Sequence, residues 1–286
     1  MDRETKIYGK AGVEAGPAFE KYIGDQKGIR LAARIGSRVN PGGLVDKLTP
    51  YIWWLGCDDS LSGESFLLKS KWEDIFGLKA RQKNIYSRDP LSLRLFFENN
   101  MRVDICLDKA DAMEKRIREE SLCKIIIDRD DRFPEEPLVT DLSQRIKLPD
   151  MESIKLWPQE FFRYITDMAF YLERKKAFAA QNSLNKAREV LLNMLKASLI
   201  RQEGYSVNLG DDGENLDVYL SGEPYQMLLR TYSVSIIDGL WDSLFQACRL
   251  FRRAGLIMDR DSSFEYPRKM DVELMKAFRT MWEERS

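Results

Sequence analysis

The chain contains no histidine. Without an imidazole there is no Ser-His-Asp or Cys-His nucleophile system and no histidine-ligated zinc. Chemistry must come from carboxylates, lysine, tyrosine or a hard metal such as Mg²⁺. Cysteine is scarce: Cys57, Cys106, Cys123 and Cys248 are the only four, and none forms a CxxC pair. That pattern predicts reduced, buried thiols rather than a disulfide framework or a metal site. No apolar run reaches the ~18 residues of a transmembrane helix. The segment Met1–Gly12 is charged and lacks a signal-peptide core, so the expectation is a cytoplasmic protein with no membrane partner. Neither sign of charge dominates. With 45 Lys+Arg against 46 Asp+Glu the formal net charge is -1, which removes the electrostatic case for nucleic acid as a partner.

What is present suits a packed protein of two parts. Hydrophobic residues make up 44% of the 286, enough for a sizeable core, and the length allows two domains at roughly 100–200 residues each. From about residue 28 to 128 short strands and helices mix. "GIRLAARIG" reads as a strand over Ile29–Ile35, and "YIWWLGC" as a second strand covered on both faces. "KSKWEDIFG" predicts a short helix closed by Gly77. "LSLRLFFENNMRVDICLD" predicts a hairpin turning at Asn99 and Asn100. "DKADAMEKRIREES" reads as a helix and "LCKIIID" as another strand.

The polar stretch Arg129–Asp150, with Pro134, Pro137 and Pro149, reads as a linker. Beyond it the apolar period becomes helical: Phe161, Ile165, Met168 and Leu172; Leu184, Leu191 and Leu195; Leu240, Leu244, Ala247 and Phe251; Val272, Met275, Phe278 and Trp282. The predicted class is α+β: a mixed sheet with flanking helices over residues 1–150, then a helical bundle over 151–286.

One segment carries chemistry. "ARIGSRVNPGGLVDKLTPYIWW" places Gly36, Ser37 and Arg38 just after a strand. Glycine permits close approach of a ligand, Ser37 offers a hydroxyl and an N–H, and Arg38 a charge suited to phosphate. Taken together with "MRVDICL", "KWEDIFG", "EESLCKIIIDRD", "GYSVNLG", "LLRTYS" and "GLWDSLFQACRLFR", the order and spacing resemble the aminoglycoside 6-adenylyltransferase (streptomycin adenylyltransferase) family, within the nucleotidyltransferase-fold superfamily. The likeness runs over roughly residues 28–285.

The resemblance implies a nucleotidyltransferase-like first domain and transfer of AMP from ATP-Mg²⁺ to an aminoglycoside hydroxyl. It also implies roles. Gly36, Ser37 and Arg38 match the nucleotide-holding turn, and Asp104 matches a catalytic carboxylate. The family's Asp-x-Asp pair, suited to metal because i and i+2 share a strand face, falls on Pro50 and Ile52. Neither residue binds a metal. Asp46 on the preceding loop is the alternative ligand beside Asp104, with Asp58 and Asp59 at the far end of the strand. After "GYSVNLG", where the family carries lysines, stand Asp211, Asp212 and Glu214.

Two readings follow. In the first, the protein is a catalytically impaired or inactive family member that keeps a small-molecule crevice between its domains, with a cofactor either absent or unknown. In the second, it is an active O-adenylyltransferase using ATP and Mg²⁺ at a rearranged site of Asp104 and Asp46. Asp167 and Glu173 would then help to hold the polycationic acceptor.

Overall fold

The computed structural model describes residues 15–40, 45–88, 90–232, 234–260 and 263–284. The charged segment Met1–Gly12 and the Pro41 that ends the "GSRVNP" motif lie outside the described residues. The chain divides into two compact units, Met1–Gln144 and Arg145–Ser286.

The first unit is a six-stranded sheet with helices on both faces. In chain order its elements are α1 (Ala15–Gly24), β1 (Ile29–Ile35), β2 (Tyr51–Cys57), α2 (Gly63–Lys69), α3 (Trp72–Phe76), β3 (Ala80–Arg88), β4 (Leu91–Phe97), β5 (Arg102–Lys109), α4 (Ala110–Glu119) and β6 (Cys123–Asp128). The strand order is β3-β4-β5-β2-β1-β6. The β2–β5 pair is parallel and the others are antiparallel, which makes the sheet mixed.

Side-chain alternation sorts β2 between two layers. Tyr51, Trp53 and Leu55 point into an aromatic core with Phe19, Trp72, Phe76 and Phe97. Trp53 and Phe19 meet edge-on at 4.9 Å between centroids. Ile52 and Trp54 pack against the opposite, smaller core of Leu31, Ala33, Ile35, Met113, Ile117 and Cys123. There α4 crosses close to the sheet at Gly56, where a Cβ would lie 3.0 Å from the Ala110 Cα. Gly77 closes α3 in the left-handed region at φ 64°, as the sequence predicts.

The four cysteines are free thiols, with Cys106 partly exposed and the rest buried. Burial pushes the Cys123 thiol up to about 12.

The second unit is helical: α5 (Met151–Glu173), α6 (Ala177–Glu203), α7 (Leu216–Tyr219), α8 (Glu223–Arg230), α9 (Ile237–Met258) and α10 (Arg268–Glu283). Asp150 caps α5, accepting from the Ser153 N–H at 2.9 Å. The apolar stripes of α5, α6 and α9 form its core, with Phe161 and Phe251 stacked at 3.9 Å. On α10 the stripe is narrower than its sequence suggests. Met275 and Phe278 are buried, but Val272 and Trp282 are 48% and 40% exposed. A single helix face covered on one side leaves its margins in solvent. Arg252 and the buried Asp271 tie α10 to α9 at 2.8 Å. Among the described residues no helix is long and apolar enough to cross a membrane.

Candidate functional site

The candidate residues of the first unit gather at one end of the sheet, where β1 ends and β2 and β5 begin. A row of register partners runs across it. Arg94 of β4 faces Asp104 of β5, Asp104 faces Ile52 of β2, and Ile52 faces Ile35 of β1. Two strand spacings separate Ile35 from Asp104, about 10 Å.

Gly36 ends β1 with φ 84° and ψ -158°, a conformation open to glycine alone. Its N–H donates to the Leu122 carbonyl at 2.9 Å. Ser37 then opens a single 3₁₀ turn, Ser37–Val39. Arg38 is buried. Its Nε and Nη2 donate to the Thr49 carbonyl at 3.0 and 2.6 Å, and Nη2 also reaches the Asp46 carbonyl at 3.3 Å. Its guanidinium lies 3.8 Å over the Tyr51 ring. Tyr51 belongs to the aromatic layer, on the face opposite Asp104 and Ile52. The guanidinium that the sequence places in the phosphate turn thus ties the 46–49 loop to β2.

Asp46 organises that loop. Its Oδ1 accepts from the Leu48 and Thr49 N–H groups, both at 2.8 Å, and from the Thr49 hydroxyl at 3.0 Å. Led by the Leu48 N–H, these bonds hold its carboxyl below the usual carboxylate range. Asp58 makes a similar local turn with the Ser60 N–H at 2.9 Å, and Asp59 pairs with Lys109.

Asp104 is 6% exposed, and both of its oxygens are taken. Arg94 grips it as a fork, Nε to Oδ1 at 2.8 Å and Nη2 to Oδ2 at 3.0 Å. Arg102, two residues before it on the same strand face, brings Nη2 to 3.0 Å from Oδ2. The sequence singles out neither arginine. Arg102 was within reach of the i, i+2 rule, whereas Arg94 needs the hairpin register.

A magnesium ion demands near-octahedral oxygen ligands at about 2.0–2.1 Å. Here Pro50 and Ile52 supply no side-chain oxygen, Asp104 is enclosed by two cations, and Asp46 is committed to its own turn. Among the described residues no group of three or more acids or cysteines could hold a metal ion. The described residues at this end of the sheet do not fit a divalent cation.

In the second unit Asp167 and Glu173 are exposed on α5, and Asp211 and Asp212 are exposed in a 3₁₀ turn followed by Glu214.

The family profile described as streptomycin adenylyltransferase matches residues 22–280. The chain belongs to the streptomycin adenylyltransferase family. It is similar to the aminoglycoside 6-adenylyltransferase of Bacillus subtilis (strain 168), 27% identical over 264 residues, 87% of this chain and 90% of that one. Against the aminoglycoside 6-adenylyltransferase of Campylobacter jejuni it is 24% identical over 254 residues, 84% and 85% of the two chains. A crystal structure of an aminoglycoside 6-adenyltransferase from Bacillus subtilis aligns over 99% of both chains at 22% identity, with a TM-score of 0.46. Family membership accounts for the order of segments that the sequence displays. The environment of Asp104 is a property of this chain's own residues.

Proposed function

We propose that this member of the streptomycin adenylyltransferase family binds a small molecule but does not transfer AMP. The observation that carries this reading is Asp104, buried and enclosed by Arg94 and Arg102, with Ile52 as its strand partner. In the reaction implied by the curated relatives, aminoglycoside 6-adenylylation, ATP-bound Mg²⁺ supplies the charge stabilisation at the transferring phosphorus, an effect of several kcal/mol. At ~1.4 kcal/mol per decade of rate, loss of that contribution removes many orders of magnitude. Pro50 and Ile52, at the positions matching the metal-binding pair, support the same conclusion. The exposed acids Asp167 and Glu173 are proposed contacts for a cationic ligand. Replacing both by amides should then weaken streptomycin binding.

The deciding experiment is pyrophosphate release from ATP-Mg²⁺ with streptomycin and a panel of other aminoglycosides. The expected result is release no faster than without protein. Robust release that Asp104→Asn abolishes would overturn this reading in favour of an active O-adenylyltransferase using Asp104 with Asp46 or another recruited acid.

A further inference from the structure

We propose that the cavity between the last turn of α4 and the 133–143 segment binds a small organic cation with an apolar body. The proposal concerns residues of the first unit alone and holds whether or not the protein transfers AMP.

The site is built before a ligand arrives. The segment that the sequence marks as a linker follows β6 and returns to the end of α4 as a strap pinned twice. At the first pin the Phe133 N–H donates to the Asp128 carboxylate and Arg118 Nη2 donates to the Arg132 carbonyl, both at 2.8 Å. At the second the Thr140 N–H donates to the Ser121 carbonyl at 2.9 Å, and the Ser143 N–H to the Ser121 hydroxyl at 2.8 Å. Between the pins Pro134 and Pro137 have fixed φ and no N–H in need of a partner. Strap and helix line a cavity of about 730 Å³, within the range of roughly 300–1,000 Å³ typical of small-molecule sites. A strap already held in place costs little further ordering on binding.

The lining explains an apolar body. Ile117 is buried, and Phe133 is half-buried beneath Arg118, whose guanidinium lies 4.6 Å over the ring. Leu138 and Leu142 line the same cavity and are 83% and 57% exposed. Two leucines left in water at one cavity are surface that an apolar ligand covers with a gain in free energy.

Charge selects the sign. Glu119, Glu120 and Glu135 also line the cavity, and none of them pairs with a cation among the described residues. Glu120 accepts instead from neutral donors, the Leu122 N–H, the Ser143 hydroxyl and the Gln144 amide. Arg118 is the one cation of the described lining, and its charge is matched already: Arg30, Arg118 and Arg132 share Asp111, Glu114 and Asp130. The unbonded carbonyls that end α4 add to the negative field. Such a lining draws a cation and repels an anion. An aminoglycoside, hydroxylated throughout, gains nothing from Leu138 and Leu142, so the ligand class differs from the family's.

Fluorescence polarisation with the full chain at low salt tests the proposal. Rhodamine 6G and fluorescein share a xanthene ring system but carry opposite charge. Rhodamine 6G should bind at least tenfold more tightly, and excess streptomycin should leave it bound. Leu138→Ser combined with Leu142→Ser should weaken it about tenfold. Both leucines face solvent, so this variant should melt like the parent. Glu119→Gln with Glu135→Gln should weaken it several-fold, and less as salt is raised. Failure of rhodamine 6G to bind, equal binding of fluorescein, displacement by streptomycin, or undiminished affinity in the double-serine variant would each overturn the proposal. So would self-association of the parent, seen by sedimentation and lost in that variant, because it assigns the leucines to a second copy of the chain. No turnover is measured, so these outcomes are independent of the pyrophosphate-release assay.

Discussion

Ile52 stands directly across the parallel β2–β5 ladder from Asp104. A carboxylate there could share a cation with Asp104, because paired residues on neighbouring strands present their side chains to the same face. An isoleucine instead extends the small core of Ile35 and Trp54 up to the edge of the acid. On the non-transferring reading, the folded protein offers Mg²⁺ no better site than the unfolded chain does. By linkage, a ligand without preference for the folded state leaves the melting temperature unchanged. Thermal melts in EDTA and in millimolar MgCl₂ should coincide. A rise of several degrees with Mg²⁺ would show a cation held by acids recruited from elsewhere.

Replacing Asp104 should damage the fold as well as any ligand site. Asp104→Asn leaves Arg94 and Arg102 facing each other without their shared anion. Both arginines are partly solvated, which reduces the penalty below that of a fully buried pair. The expected loss is about 1.5–3 kcal/mol, the scale of hydrogen bonds to a charged group, measured by urea denaturation. Adding Arg94→Met should return part of it, since the second change removes one of the two like charges that the acid holds together. A double variant less stable than the sum of the two single losses would contradict this account.

That pair also marks where the sequence stops being readable. The strands Ile29–Ile35 and Tyr51–Cys57, the helix closed at Gly77 and the hairpin are all legible, because apolar spacing and turn residues agree there. The register of the hairpin is not. A two-residue turn at Asn99–Asn100 would set Leu95 against Asp104. The actual loop has three residues between Phe97 and Met101, with Asn100 left-handed at φ 67°, and this brings Arg94 opposite Asp104. A shift of one residue exchanges the two faces of a strand, so the ion pair could not be foreseen from a correctly identified hairpin.

Several elements escape notice for other reasons, α1 and β3 among them. The helix α1 contains Gly16, Pro17 and Gly24, poor helix formers, and its buried face consists mainly of Ala15, Phe19 and Ile23. β3 is the edge of the sheet, and its sequence ARQKNIYSR lacks the alternation that marks a half-buried strand. At the site, the position of Arg38 just after a strand suits it to phosphate. Its stacking on Tyr51 depends on the path of the loop, which local spacing does not encode.

Acid should loosen the protein in a predictable direction. Asp46, Asp58 and Asp150 are all held below the usual aspartate range by local hydrogen bonds from Leu48, Ser60 and Ser153 with their neighbours. The unfolded chain takes up these protons more readily, at a pKa of about 3.9. The stabilisation is therefore complete above that value and is lost as pH falls through the lower folded-state values. Urea midpoints measured from pH 7 to pH 3 should decline at the acid end. Asp46→Asn keeps a carbonyl oxygen for the turn but removes the titration, so its profile should be shallower. An equally steep profile would exclude Asp46 as a contributor.

Gly255 tests the packing of the helical unit without touching either ligand proposal. It lies within α9, and a Cβ there would fall 2.4 Å from Cδ2 and 2.6 Å from Cε2 of Tyr266. The tyrosine cannot easily retreat. It is 2% exposed, its ring lies 6.4 Å from that of Phe251, and its backbone is fixed by the Asp259 carboxylate at 3.0 Å and the Arg268 N–H at 2.8 Å. Alanine in place of a helical glycine gains up to about 1 kcal/mol in propensity. Overpacking a rigid core typically costs about 1–3 kcal/mol, and at this separation the ring or the helix must move. Gly255→Ala should therefore lower the melting temperature in spite of its better propensity. Gly24→Ala, at the end of α1 with no atom within 4 Å of the added methyl, should not. If both variants melt at or above the parent temperature, Tyr266 yields to a methyl group and the contact between α9 and the following loop is softer than its geometry implies.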